Sequence, residues 1–264
     1  MESIMPDGKA LQMGTSHFLG QNFSKPFEVK FADKDNVEHF AWQTSWGVSW
    51  RLIGAMIMAH GDDKGLVLPP KVAPMQVVII PIYKNDEGKE TVLPKVEEIK
   101  EVLESKNIRV HIDDRSGLSP GYKFNDWELK GVPIRIEIGP KDIEKQSVII
   151  AKRYNREKSS LEFTKIEEIS TILDEIQNIM LEKAKEQAKT NTINISDYAE
   201  FKSKIEKGGF FNAPWCGKIE CEEKIKEETG ADIRVIPWNS EDSNKKCIYC
   251  DEQSKTIPIF ARGY

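Results

Sequence analysis

Val77-Val78-Ile79-Ile80-Pro81-Ile82-Tyr83 is a near-continuous β-branched run. With no polar residue to turn toward water, it reads as a strand covered on both faces, as in a parallel sheet. Just beyond it, Val96, Ile99, Val102 and Leu103 recur at helical spacing, which predicts a helix over 92–106. A second strand is expected at 108–112, a short helix at 122–129, and further strands at 134–138 and 147–151. A long helix over 165–189 carries Ile166, Ile169, Ile172, Ile176 and Ile179 in steps of three and four. This alternation predicts an α/β domain with a mostly parallel sheet.

Outward from that domain the texture changes on both sides. Residues 1–72 are rich in Gly, Ser, Thr and Trp, with little helical periodicity before residue 50. Phe27 to Phe31 alternates like a half-buried strand, and 43–49 reads as another strand leading into a buried apolar helix over 51–60. That helix stops at Gly61, ahead of an acidic pair and the extended run Leu66-Val67-Leu68-Pro69-Pro70. On the other side, 190–194 is a polar linker, and 195–264 forms a small third unit holding all four cysteines.

Charged residues make up 31% of the chain and mean hydropathy is −0.49, which fits a soluble protein with a folded core. The net charge of −5 argues against a globally basic nucleic-acid coat but leaves room for a local basic patch. The longest apolar stretches are strand-sized, well short of the ~18 residues of a spanning helix. No membrane association is expected. The N-terminus lacks a basic region followed by an apolar core, so the expected location is cytoplasmic.

Cys216 and Cys221 are separated by four residues and Cys247 and Cys250 by two, with about 25 residues between the pairs. Two short loops of this kind suit a tetrahedral four-thiolate zinc site. The alternatives are a disulfide pair or unrelated buried thiols; the intracellular character of the chain favours zinc. Four protein ligands leave no open position for substrate, so the ion is expected to be structural and not catalytic. A unit of this size gains from such a staple because its own core is marginal.

Residues 12–23 read as a polar loop with one titratable group, His17, which by itself is more simply structural than catalytic. Arg51 opens the helix over 51–60, where a cation opposes the helix dipole; an anionic ligand such as a nucleotide phosphate is one reason for its presence. The other is an ordinary surface arginine.

Three stretches then point the same way: Gln12-Met-Gly-Thr-Ser-His-Phe-Leu-Gly-Gln-Asn-Phe23, Gln43–His60, and His60-Gly-Asp-Asp-Lys-Gly-Leu-Val-Leu-Pro-Pro70. With Pro120-Gly-Tyr-Lys-Phe-Asn-Asp-Trp-Glu-Leu-Lys-Gly-Val-Pro133, the cysteine unit and the terminal Phe-Ala-Arg-Gly-Tyr264, they resemble the prolyl-tRNA synthetases of eukaryote- and archaeal-like type. The resemblance spans essentially the whole chain. It implies α/β and α+β parts: the end of a class II antiparallel-sheet catalytic domain over 1–72, an α/β anticodon-binding domain over 73–190 and a zinc-binding α+β domain over 195–264.

The implied activity joins L-proline to proline tRNA with ATP and Mg²⁺, within a homodimer. Arg51 falls at the arginine of the third class II signature and Ser49 at a neighbouring ATP position; Gln12 and Thr15 match ATP-holding positions, with Gln12 also near magnesium. Arg51 is thereby the implied catalytic residue. His17 matches a residue of the proline pocket, with Trp46 expected to pack near it, and the carboxylate of Tyr264 is expected to reach toward the active site. Adenylate formation needs positioned charge around phosphates more than an acid or base. The sequence departs from the family in one respect: the two upstream class II signatures are absent, so a fragment or a degenerate gene is expected, inactive alone. A non-catalytic module that binds the tRNA anticodon is the other reading.

Residues 141–158 carry six basic and three acidic side chains, a local surplus that by itself reads as a solvated face. The resemblance places Glu128 and Arg135 where relatives contact anticodon guanines, with Lys123 and Asp142 as weaker candidates. A structural ion pair between Glu128 and Arg135, tying helix to strand, is the competing expectation. Trp127, Trp215 and Trp238, with Met56 and Met58, read as core, and His60-Gly61-Asp62-Asp63 as a structural turn.

Overall fold

The structure, a computed structural model, describes residues 1–238, 240 and 244–264. The chain divides into two compact units, one of residues 56–186 and one of residues 1–55 with 187–264. Residues 1–55 of the first expected segment therefore fall in one unit with the last segment, while residues 56–72 fall in the other.

That composite unit opens with short strands: β1 (Glu2–Ile4), β2 (Ala10–Gln12), β3 (Gly14–Gly20), β4 (Lys30–Ala32), β5 (Glu38–Phe40) and β6 (Gln43–Val48). They pair antiparallel as β1–β2, β3–β6 and β4–β5. Two expectations change here. The polar stretch 12–23 contains a seven-residue strand, β3, and Phe27–Phe31 is not a strand: Glu28 takes a left-handed φ of 53° and pairing starts only at Lys30. Helix α1 (Arg51–His60) has the expected bounds but not the expected burial. Ala55 is its one buried residue, while Trp50, at 86% exposure, Leu52 and Ile53 stand open.

The second unit holds β7 (Val77–Pro81), α2 (Asp86–Ser105), β8 (Val110–Ile112), α3 (Pro120–Leu129), β9 (Ile134–Ile138), α4 (Pro140–Glu144), β10 (Ser147–Lys152), β11 (Lys158–Glu162) and most of α5 (Ile169–Thr190). The sheet order is β11-β10-β9-β7-β8. Every residue of β7 is buried because its two faces are both covered. Val77 and Ile79 join Val92, Val96, Ile99 and Leu103 of α2 and Ile169, Leu173 and Ile176 of α5; Val78 and Ile80 pack with Val132, Phe124 and Trp127 on the other side. Each fully buried aliphatic side chain contributes about 1.5–3 kcal/mol.

The sheet is mixed, not mostly parallel. β7 runs parallel to β8 and β9, but β10 is antiparallel to both β9 and β11. Residues 139–146 are too few for a parallel crossover, which takes about a dozen residues or more. Helix α2 begins at Asp86, earlier than expected, because the side chain of Asn85 accepts from the Gly88 N–H at 3.0 Å and caps it; the helix continues through Pro94.

Returning to the composite unit, β12 (Thr192–Asn194), α6 (Tyr198–Ile205), β13 (Phe210–Asn212), α7 (Ile219–Thr229), β14 (Ala231–Val235) and β15 (Ile259–Arg262) complete the chain. Among the described residues the strands form one sheet in the order β12-β13-β15-β14 over a core of Phe201, Phe211 and Phe260. The expected linker at 190–194 is thus partly strand, since Thr192–Asn194 pairs parallel with β13. Arg234 of β14 grips both carboxylate oxygens of Glu2 at 3.0 Å. Gly263 bridges Ala10 in parallel, and the Tyr264 N–H donates to the Ala10 carbonyl at 3.2 Å.

Candidate functional site

A pocket of about 160 Å³ opens between α3 and the β9–β10–β11 edge, lined by Trp127, Glu128, Arg135, Lys152, Arg153, Arg156 and Lys158 among others. Its construction follows from strand alternation. In Ile134-Arg135-Ile136-Glu137-Ile138 the isoleucines are buried in the core, which leaves Arg135 and Glu137 on the opposite face. Glu137 accepts from Arg135 Nε at 3.1 Å and Nη2 at 2.8 Å and pairs with Lys158 at 2.7 Å. The Arg135 guanidinium lies over the Phe124 ring, 4.3 Å from its centroid. A buried carboxylate and an aromatic plane therefore fix its orientation.

Glu128 does not pair with Arg135. Its carboxylate stands 3.8 Å from Arg156 Nε, and its carbonyl accepts from Arg153 Nε at 3.0 Å. The expected helix–strand ion pair is absent among the described residues, and both side chains line the same cavity instead. A carboxylate acceptor and a guanidinium fork over one small pocket match the donor and acceptor edges of a guanine base. The surrounding cations suit a polyanion's backbone.

Helix α3 is held by Asp113, whose side chain is fully buried. It accepts from Arg115 at 2.9 and 2.8 Å and from the Trp127 indole at 2.7 Å. Burial alone would push this carboxyl up; Arg115 and Trp127 outweigh it and hold Asp113 well below the usual carboxylate range. Lys123 is taken up here: it is 6% exposed and donates to the Asp113 carbonyl at 2.9 Å, so it is no free cation for RNA. Asp142 is likewise occupied, accepting from the Gly139 N–H at 2.8 Å to cap α4. Trp127 packs on the sheet while lining the pocket, and Trp215 is buried, but Trp238 is fully exposed and is not core.

The His60–Asp63 turn is structural, as expected, and it reaches the pocket. Asp62 accepts from Arg153 at 2.9 and 2.6 Å and from Arg156 at 2.9 Å. Arg153, foremost, holds the Asp62 carboxyl well below its ordinary value. The turn sits close because two glycines permit it. A Cβ on Gly65 or Gly131, both at positive φ, would fall 2.6 Å from the main chain of Leu129 or Leu66 respectively. Arg153, Arg156 and Lys158 lay inside the basic run 141–158, yet nothing in their spacing singled them out as pocket walls. The hairpin β10–β11 that gathers them has a polar, solvent-facing second strand without a visible period.

Three other candidates, Thr15, His17 and Trp46, lie on the β3–β6 ladder. Thr15 pairs with Gly47, Ser16 with Trp46 and His17 with Ser45. Paired residues share a face and successive residues alternate. Thr15, His17 and Ser45 are therefore together on one face, while Trp46 stands on the other with Ser16 and Phe18, so it does not pack near His17. The place of Ser45 beside His17 depends on register, which residue spacing does not report. Ser49 donates from Oγ to the Met13 carbonyl and accepts from the Arg51 N–H, both at 3.3 Å, just ahead of α1. Arg51 is exposed, and among the described residues its guanidinium has no partner. Gln12 is exposed at the end of β2, two residues beyond the Ala10 that receives the chain end.

Cys216, Cys221, Cys247 and Cys250 converge, with all four Sγ atoms within 4.8 Å of one another. Cys216 Sγ lies 3.6 Å from Cys221 Sγ and 3.7 Å from Cys250 Sγ. These distances are too long for a disulfide and close to the ~3.8 Å edge of a tetrahedron with Zn–S bonds of about 2.3 Å. Burial pushes the Cys216 and Cys221 thiols up, whereas at Cys247 the burial effect is outweighed by N–H groups that include those of Cys250 and Tyr249. Four sulfurs in this arrangement, three of them from buried cysteines and one from the half-buried Cys250, fit a divalent, thiolate-seeking cation.

Comparison with known proteins places these features. Residues 76–175 match the family model described as anticodon binding domain, and residues 198–264 match that described as prolyl-tRNA synthetase, C-terminal. The proline–tRNA ligase of Cenarchaeum symbiosum is 58% identical over 266 residues, covering 100% of this chain and 55% of that protein. The chain matches the C-terminal portion of prolyl-tRNA synthetases. The Porphyromonas gingivalis proline–tRNA ligase is 50% identical across the whole chain, again over 54% of its own length. A prolyl-tRNA synthetase structure from Cryptosporidium parvum, complexed with L-proline and AMP, is similar at 42% identity and a TM-score of 0.91; the match covers 99% of this chain and 55% of that one. A second structure of that synthetase, complexed with halofuginone and AMPPNP, matches equally. The chain thus spans about half the length of the synthetases it matches and corresponds to their C-terminal portion. The pocket of Glu128 and Arg135 falls inside the anticodon-binding match, and the cysteine cluster inside the C-terminal one. No helix is long and apolar enough to cross a membrane among the described residues.

Proposed function

We propose that this chain supplies the anticodon-reading and phosphate-holding parts of a proline–tRNA ligase, which activates L-proline with ATP and transfers it to proline tRNA. The observation that carries the reading is the single pocket joining Glu128 and Arg135 under a rim of cations. Guanines of the anticodon are read there: Arg135 offers N–H donors to O6 and N7, and Glu128 accepts from N1 and N2.

Arg51, open at the start of α1, takes an ATP phosphate, and its charge is stabilising where negative charge accumulates during adenylate formation. Ser49, Thr15 and Gln12 hold the nucleotide, with Gln12 also near Mg²⁺. His17 borders the proline site with Ser45 on its face. The four cysteines hold Zn²⁺ structurally. A cytoplasmic, homodimeric enzyme of the relatives' full length is part of the same proposal.

The test is proline-dependent ATP–pyrophosphate exchange by a polypeptide extended to that length. Exchange specific for proline, collapsing in Arg51→Ala, supports the reading; exchange unchanged by Arg51→Ala removes Arg51 from the ATP site, and no proline dependence removes the activity.

A further inference from the structure

Asp62 belongs to no part of the base-reading pocket, yet it is tied to two of the pocket's walls. It emerges from the turn after α1, more than ninety residues before the arginines it holds. With Arg153 it forms a two-pronged pair at 2.9 and 2.6 Å, and Arg153 is only 5% exposed. The same guanidinium donates Nε to the Glu128 carbonyl at 3.0 Å and Nη2 to the Gly65 carbonyl at 3.3 Å. The second arm, Arg156, sits at the turn between β10 and β11 in a left-handed conformation, φ 61°, and faces both Asp62 and the Glu128 carboxylate. One carboxylate therefore sets where Arg153 and Arg156 stand, and through them the main chain and the side chain of Glu128.

We infer that Asp62 is a positioning residue for anticodon reading, acting through Arg153 and Arg156 on Glu128 without touching RNA itself. The inference rests on the proposed role of the Glu128–Arg135 pocket. Removing one partner of a bidentate pair leaves the buried arginine's charge uncompensated, so the groups the pair fixes are freed. Freed from Asp62, Arg156 becomes a mobile cation at the pocket mouth. It then contacts phosphate on any RNA, and Glu128 loses its support.

This gives a signature that simple loss of stability does not produce. The complete zinc-loaded chain is titrated with a proline tRNA transcript and with one whose anticodon guanines are replaced, between ~0.05 and ~0.2 M salt. The unaltered chain prefers the first. Asp62→Asn is expected to lose about tenfold of that preference, within the range of one bidentate base contact. It is also expected to steepen the salt dependence by roughly 0.7–0.9 in log–log slope, the increment for one added phosphate contact. Should Asp62→Asn fail to fold, Arg156→Gln decides, since Arg156 is half-exposed. That variant severs one arm of the latch and is expected to lower the preference several-fold without a steeper slope. A folded Asp62→Asn, or failing that Arg156→Gln, that discriminates like the unaltered chain overturns the inference. So does equal weakening on both RNAs at unchanged slope. If the unaltered chain shows no preference, the pocket reading itself fails, an outcome distinct from either of these.

Discussion

Glu137 holds Arg135 by its Nε and Nη2 edge, and the two residues are neighbours on one face of β9. The arrangement leaves the guanidinium aligned but not exhausted, because its Nη1 has only a long 3.5 Å approach to the Phe124 carbonyl. Arg135→Ala is expected to remove ~1–3 kcal/mol of discrimination at one anticodon base. Arg135→Lys is not expected to restore it, since an ammonium offers neither the fork nor the stacking plane. Kd values for RNAs substituted one base at a time check this; equal loss on every RNA would assign Arg135 to the backbone.

The buried Asp113 couples the pocket's helix to pH. Its folded-state carboxyl is depressed, so its contribution to stability is complete above the unfolded carboxylate's ~3.9 and drains as pH falls toward the folded value. Asp62 behaves in the same sense. Urea unfolding of the chain between pH 7 and pH 3 is expected to weaken steeply below about pH 4. Asp113→Ala should cost about 3–5 kcal/mol at pH 7, as when one partner of a buried pair is removed, and should flatten the acid limb. An acid limb as steep as in the unaltered chain would contradict the role given to this carboxylate.

Gly131 tests the close passage of the Asp62 turn over the end of α3. Gly131→Ala places a methyl 2.6 Å from Leu66 and forces alanine to φ 73°. It is expected to destabilise by more than about 1 kcal/mol, with residues 56–70 losing amide protection first. Uniform protection across the second unit would mean the backbone yields at no cost.

The zinc-site prediction is stoichiometric. About one zinc ion per chain is expected by elemental analysis, with chelation or Cys247→Ser loosening the region from residue 195 onward. Metal content near zero in freshly purified, folded protein would reduce the four cysteines to unligated thiols.

Much of this was legible in the residues. The Ile-Arg-Ile-Glu-Ile alternation of β9 and the all-apolar β7 carry their burial openly, and the cysteine spacing gave the cluster its membership. Helix α1 has the period of a buried helix, but burial also needs a covering surface, and sequence period says nothing of that. The antiparallel turn into β10 is decided by a short connection and by Gln146 at φ 53°, a left-handed position no pattern of apolar residues reports. The pairing of Asp62 with Arg153 spans ninety-one positions, and Trp46 and His17 part company only once β3 and β6 settle into register. Long-range pairing and register are properties of the folded sheet. They are what the linear reading of single residues leaves out.

The most direct measurement is binding of the zinc-loaded chain to a proline tRNA transcript beside one lacking both anticodon guanines, at ~0.15 M salt. Tighter binding of the first, by about tenfold or more and abolished by Glu128→Gln with Arg135→Ala, is the predicted result. Equal affinity for the two RNAs by a folded, zinc-loaded chain would contradict the claim that this pocket reads bases.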